Sequence, residues 1–105
     1  MIDERAAFAG MLWVLENSGR YQHQELAGEL LADRSLPLLI SVDEFIRRTA
    51  PTLNPSCTTI ARYLRGQVGV TETLKVIDEL SSTASDEQMR SGLRSLNYRL
   101  GQADA

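Results

Sequence analysis

The sequence is poor in the residues that usually carry chemistry or cross-links. It has one cysteine and one histidine in 105 residues. The lone Cys57 excludes an internal disulfide, and a reducing, cytoplasmic setting is the simplest expectation. His23 and Cys57 are too few for a zinc site, so neither a metal nor any other cofactor is expected. No apolar run reaches the roughly 18 residues that a spanning helix needs, so no membrane association is expected. The opening MIDERAAFAG leads with acids, not with a basic stretch ahead of an apolar one, and does not read as a signal peptide. No paired nucleophile and base, no metal-ligand spacing and no glycine-rich phosphate loop occurs, so an enzyme is not expected.

What is there belongs to one small globular domain over residues 1–105. Hydrophobic residues make up 43% and charged residues 24%, ordinary values for a chain that buries a core. The net charge is −3, unevenly spread. Residues 1–46 carry eight acids against three bases, a balance of −5. Residues 47–76 carry five bases (Arg47, Arg48, Arg62, Arg65 and Lys75) against one acid, a balance of +4, and residues 77–105 return to −2. A basic middle between acidic ends marks a candidate anion-binding face, although arginines on solvated helices produce the same pattern.

Apolar periodicity predicts an all-α, compact domain of five to six helices, since strand-like alternation is absent. A first helix over residues 3–17 has Phe8, Met11, Leu12 and Leu15 at helical spacing, with Trp13 beside them as a core residue or, alternatively, an interface anchor. A second over 20–33 has Leu26, Leu30 and Leu31 on one side, and Pro37 breaks that pattern or opens the next helix. SVDE at 41–44 is a capping box that opens a short helix closed by Pro51. Ser56 is expected to cap a helix over 57–65 with Gly66 behind it. Thr71 is expected to cap one over 72–81, and SDEQ at 85–88 opens an amphipathic C-terminal helix over 85–100. Its stripe of Met89, Leu93, Leu96 and Leu100 either closes the core or pairs two copies of the chain. Residues 102–105 are expected to fray. His23 reads as solvated, and Cys57 as a small buried hydrophobe rather than a redox sensor. The carboxylate pairs Asp43/Glu44, Asp78/Glu79 and Asp86/Glu87 lie near helix ends, where the helix dipole accounts for the first and third of them without an acid–base role.

The helix over 57–65 carries the most information. At 100° per residue, Cys57, Ile60 and Leu64 share one face, while Thr58, Thr59, Arg62 and Arg65 point the other way. Guanidiniums and hydroxyls in that array suit base edges and phosphates. The segments SVDEFI at 41–46, TIARYLRG at 59–66 and ETLKVIDEL at 72–80, with Leu30 and Arg34 ahead of them, resemble the Cro/lambda-repressor-type (XRE) helix-turn-helix family. The likeness covers residues 30–80, with a turn longer than the family's and rich in proline. It implies a helix-turn-helix-like centre and a DNA-binding transcriptional regulator of prokaryotic or phage type that acts as a homodimer on double-stranded DNA. By this likeness Ser56, Thr58, Thr59 and Arg62 face the major groove and Arg65 and Gln67 lie near the backbone. Arg47, Arg48 and Lys75 add phosphate contacts. Met89, Leu93, Leu96 and Leu100 would form the dimer interface. A second reading rests on the acidic first half, with Asp3, Glu4, Glu16, Glu25, Glu29 and Asp33. It is a small helical protein that neutralises a protein partner, as immunity proteins, antitoxins or phage-encoded inhibitors do.

Overall fold

The computed structural model describes residues 3–101, so the tail 102–105 lies outside the described residues. Six α-helices follow one another: α1 (Glu4–Asn17), α2 (Tyr21–Asp33), α3 (Val42–Thr49), α4 (Thr59–Gln67), α5 (Val70–Thr83) and α6 (Glu87–Gly101). A 3₁₀ turn, Ala50–Thr52, continues α3. The radius of gyration is 12.6 Å, about that of a folded chain of this length.

Local chemistry explains the helix ends. The Asp3 carboxylate accepts from the Ala6 N–H at 2.8 Å and caps α1, and the Ser41 hydroxyl accepts from the Glu44 N–H at 3.1 Å and caps α3. At the end of α2 the Leu36 N–H reaches the Leu31 carbonyl and the Ser35 N–H reaches that of Ala32, both at 3.1 Å. This is a Schellman closure, which demands a left-handed residue, and Ser35 supplies it at φ 48°. A serine there is strained where glycine is not. Ser35→Gly is therefore expected to raise stability by about 1 kcal/mol in urea denaturation. Helix α4 runs past Gly66 to Gln67 and stops at Gly69, whose φ of 102° suits glycine alone. Gly69, not Thr71, then precedes α5.

Phe8 of α1, Phe45 of α3 and Tyr63 of α4 stack through the core with ring centroids 6.2 and 5.9 Å apart. The Tyr63 hydroxyl donates to the Leu36 carbonyl at 2.7 Å, and burial pushes its pKa up to about 12. Leu31, Ile46, Leu64, Leu93, Leu96 and Leu100 fill the space around them. Two crossings are closer than side chains permit. A Cβ on Gly28 would lie 2.2 Å from Thr59 Oγ1, and one on Gly92 would lie 1.9 Å from the Ala50 carbonyl oxygen. Glycine lets α2 approach α4, and α6 approach the 3₁₀ turn.

The all-helical expectation holds, and the pairing of helices is distinctive. Helix α4 packs chiefly on α2 and meets α3 through the Phe45–Tyr63 ring contact. Gln24, buried inside α2, donates to the carbonyls of Ser18 and Thr52 at 2.7 and 2.8 Å and accepts from the Asn54 N–H at 2.8 Å. Asn54 in turn donates to the Gly19 carbonyl, and Thr52 to that of Glu16. One buried amide thus fastens the proline-rich loop to the α1–α2 corner, with both of its N–H donors and one of its two acceptor lone pairs satisfied.

Candidate functional site

Two surfaces compete for a functional role. The first is the arginine-bearing edge of α4. Its N-terminus is clasped by a carboxylate from another helix. Glu25 of α2 accepts from the backbone N–H groups of Thr58 and Thr59 at 2.9 and 2.8 Å and from the Thr58 hydroxyl at 3.1 Å. The Thr59 hydroxyl donates back to the Glu25 carbonyl at 2.8 Å. Burial pushes the Glu25 pKa up, but these hydrogen bonds outweigh it and hold it at about 2. Ser56 does not cap the helix. It sits exposed in the loop, where its N–H donates to Asn54 Oδ1 at 2.9 Å. Thr59, expected to face outward, is buried, because α2 comes close to it at Gly28. The hydroxyls of Thr58 and Thr59 are engaged within the chain.

The cations of that reading are scattered and largely paired. Arg62 is exposed and meets Asp33 at 3.0 Å, and Arg47 pairs with Asp43 one turn away on α3. Arg48 bridges to Glu16 at 2.8 Å and also to Glu44, tying α3 to α1. The Gln67 side-chain Oε1 accepts from the Leu38 N–H at 3.3 Å. Arg65 is half-buried, and its Nε has no partner among the described residues. Lys75 is exposed on α5 and makes no ion pair among the described residues. Only Arg62 and Gln67 come together, beside a hollow of about 420 Å³ that Ser35 also lines.

The α6 stripe is already covered. Leu93, Leu96 and Leu100 are buried in the core of the same chain, and Met89 is half-buried against it. This is the core-closing alternative. Exposing those leucines to a second copy would cost roughly 2 kcal/mol for each. Cys57 is also buried, and burial pushes its thiol pKa up, with the Glu25 carboxylate adding to it. A thiol in that state is a weak nucleophile, as expected of a small hydrophobe.

The second surface lies between α1 and α2. Met11 and Val14 face Leu26, Ala27 and Leu30 across an apolar groove of about 410 Å³. Past Met11 and Leu30 it continues into a hollow of about 280 Å³ beside Ala6, Ala7 and Gly10. Trp13 and Leu26 stand on its rim, 64% and 57% exposed. Trp13 therefore is not the core residue its neighbours imply. The buried arc of α1 is only Phe8, Leu12 and Leu15, and the indole projects roughly 135° from its centre. Leu26 likewise leaves the core to Gln24, Ala27, Gly28 and Leu31. At the mouth, His23 Nδ1 and the Ser18 hydroxyl share a 2.7 Å hydrogen bond. Gly10 completes the surface. A mid-helix glycine costs about 0.5–1 kcal/mol relative to alanine, yet a Cβ there would touch nothing within 4 Å.

Formal charge is unevenly divided along the chain. Residues 3–34 carry six acids and three bases, and the remaining residues carry eight of each, so the net charge of −3 resides on the α1–α2 pair. No helix of the described residues is long and apolar enough to cross a membrane. Among the described residues no group of His, Cys, Asp or Glu is arranged to hold a metal. The described residues form an all-helical fold with an apolar groove between α1 and α2 whose only charged lining residue is Arg34. No family model, no curated protein and no solved structure matches it.

Proposed function

We propose that the chain is a protein-binding module that receives an apolar segment of a partner protein in the α1–α2 groove. The observation that carries this reading is the exposure of Trp13 and Leu26 beside an apolar groove between α1 and α2. Exposed indoles at the rim of an apolar cleft are the commonest energetic anchors of protein interfaces. Such a protein acts by occupancy, in the manner of a small inhibitor, immunity protein or antitoxin. Its acidic hairpin speeds the encounter with a basic surface.

Trp13→Ala tests the reading. The indole makes little of the core, so unfolding stability should change by no more than about 0.5 kcal/mol. Affinity for the partner captured by the wild-type chain should fall about 30-fold, as for an anchor worth about 2 kcal/mol. Arg62→Ala should leave that affinity within about threefold. Unaltered affinity in Trp13→Ala would contradict the proposal.

DNA binding is the second reading. The exposed Arg62 and Gln67 beside their hollow favour it, with Arg65 and Lys75 as further cations. Fluorescence anisotropy with random-sequence duplex decides between the two, because the phosphate contribution does not depend on sequence. Salt-sensitive micromolar binding that weakens in Arg62→Ala would favour this second reading. The protein-binding reading expects none.

A further inference from the structure

We propose that Ser18 and His23 form a catalytic dyad that hydrolyses esters of apolar carboxylic acids, with the α1–α2 groove taking the acyl chain. This activity goes beyond the partner-binding reading and does not rest on it. Four observations lead there. The first is the pair itself. Ser18 Oγ and His23 Nδ1 lie 2.7 Å apart, the distance at which an imidazole can take a proton from a hydroxyl. The two residues stand on either side of the α1–α2 corner, and the turn of the chain brings them together. The second is that the nucleophile is held in place. The Ser18 N–H donates to the Val14 carbonyl at 2.9 Å, and the Ser18 carbonyl accepts from the buried Gln24 amide at 2.7 Å. A backbone pinned on both sides keeps the hydroxyl against the imidazole.

The third observation is the neighbouring space. Ser18 and His23 both line the groove of about 410 Å³, and the rest of that lining is apolar. Val14 and Met11 stand one and two turns back along α1, roughly 6 and 10 Å from Ser18 along the axis. An acyl chain of several methylenes fits such a trough, whereas a charged one finds no partner in it. The fourth is the start of α2. Arg20 is its N-cap residue and no side chain caps it, so the N–H groups of its first turn, to which His23 belongs, are left open. The positive end of the helix and those donors favour negative charge.

In the first half-reaction the Ser18 oxygen attacks the acyl carbon and its proton passes to His23 Nδ1. The imidazole acts in the tautomer that carries its hydrogen on Nε2. The carbonyl oxygen becomes an oxyanion, which the open end of α2 stabilises. The bond from the acyl carbon to the leaving alcohol then breaks, and the alcohol departs with the proton from His23. In the second half-reaction water attacks the acyl-Ser18 ester and gives a proton to His23. The carboxylic acid leaves as Ser18 Oγ takes that proton back.

The test uses the purified chain and 4-nitrophenyl esters of acetate, butyrate and hexanoate, uncharged probes that share one leaving group. Nitrophenol should appear in a burst of about one equivalent per chain, followed by slower turnover. Mass spectrometry of the quenched burst should find the acyl group on Ser18. The value of kcat/KM should rise about two- to fourfold for each methylene that enters the groove. Ser18→Ala and His23→Asn should each lose about 100-fold or more of turnover. Asparagine can accept the Ser18 hydrogen bond but cannot take its proton, so a purely structural His23 would leave that variant at the wild-type rate. Neither side chain belongs to the core, and both variants should keep the circular-dichroism melt of the wild-type chain.

Loss of turnover in His23→Asn with the full rate kept in Ser18→Ala would mean that the imidazole attacks the activated ester alone, and would overturn the dyad. An acyl group found on any other residue would do the same. Equal kcat/KM for acetate and hexanoate would overturn the groove as the acyl site. Hydrolysis no faster than in buffer, with no acyl group on Ser18, would overturn the whole inference. The partner-binding reading would survive that result, because Trp13→Ala tests it separately.

Discussion

Gly92→Ala should leave little folded protein. The added methyl would sit 1.9 Å from the Ala50 carbonyl oxygen and 2.6 Å from its carbon, both backbone atoms that no rotamer change can move. Helix α6 would have to lift from the 3₁₀ turn and draw Leu93 and Leu96 partly out of the core. Overpacking of flexible side chains costs about 1–3 kcal/mol, and a clash with backbone belongs above that range. A loss of about 4 kcal/mol approaches the total stability of a small domain. Urea denaturation monitored by circular dichroism reads it directly. A variant within about 1 kcal/mol of wild type would show that the α6 crossing is looser than described.

Glu25→Ala should be the next most damaging change, and it acts through α4 rather than through α2. It strips the first N–H groups of α4 of their acceptor and leaves the Thr58 hydroxyl without its carboxylate. Charge-assisted hydrogen bonds are worth about 1.5–3 kcal/mol each when a partner is removed, and the site is partly solvated, so a loss of about 2–3 kcal/mol at neutral pH is expected. Glu25→Gln retains one acceptor oxygen and should lose about half of that. The pH dependence follows from the lowered pKa. The carboxylate ionises near 4.5 in the unfolded chain and near 2 in the folded one. Its stabilisation is therefore complete above about 4.5, and it drains away as pH falls from there towards 2. Between those limits the stability of the wild-type chain should fall more steeply than that of Glu25→Gln. Parallel curves would show that the clasp contributes nothing.

The fold was largely legible because its signals are local. Apolar spacing and helix-end residues place all six helices to within a few positions, and the Ser41 capping box stands as expected. What was hidden is long-range. Nothing local to TIARYLRG announces that a glutamate more than thirty residues earlier will cap it, so Ser56 looked like the cap and Thr58 and Thr59 looked free. A buried glutamine is equally silent. Gln24 reads as a solvated helix residue, yet it anchors the proline-rich loop and so sets α4 on α2. The resemblance to a helix-turn-helix rests on residue order in single helices, while the motif is a crossing between two of them. The groove was half visible. The acidic first half and the ambiguous Trp13 were on view, but only the packing of α1 on α2 shows that the indole and Leu26 stand on the rim of one apolar surface.

The most direct test of the groove as the working surface is site-specific photocrosslinking in cells that express the protein. A benzophenone amino acid is placed at position 13 or 26, and at position 62 or 67 on the α4 edge for comparison. The groove account predicts the same discrete protein adduct from 13 and 26, lost on Gly10→Leu, and none from 62 or 67. Adducts from 62 and 67 alone, to protein or nucleic acid, would contradict it and give the function to the α4 edge.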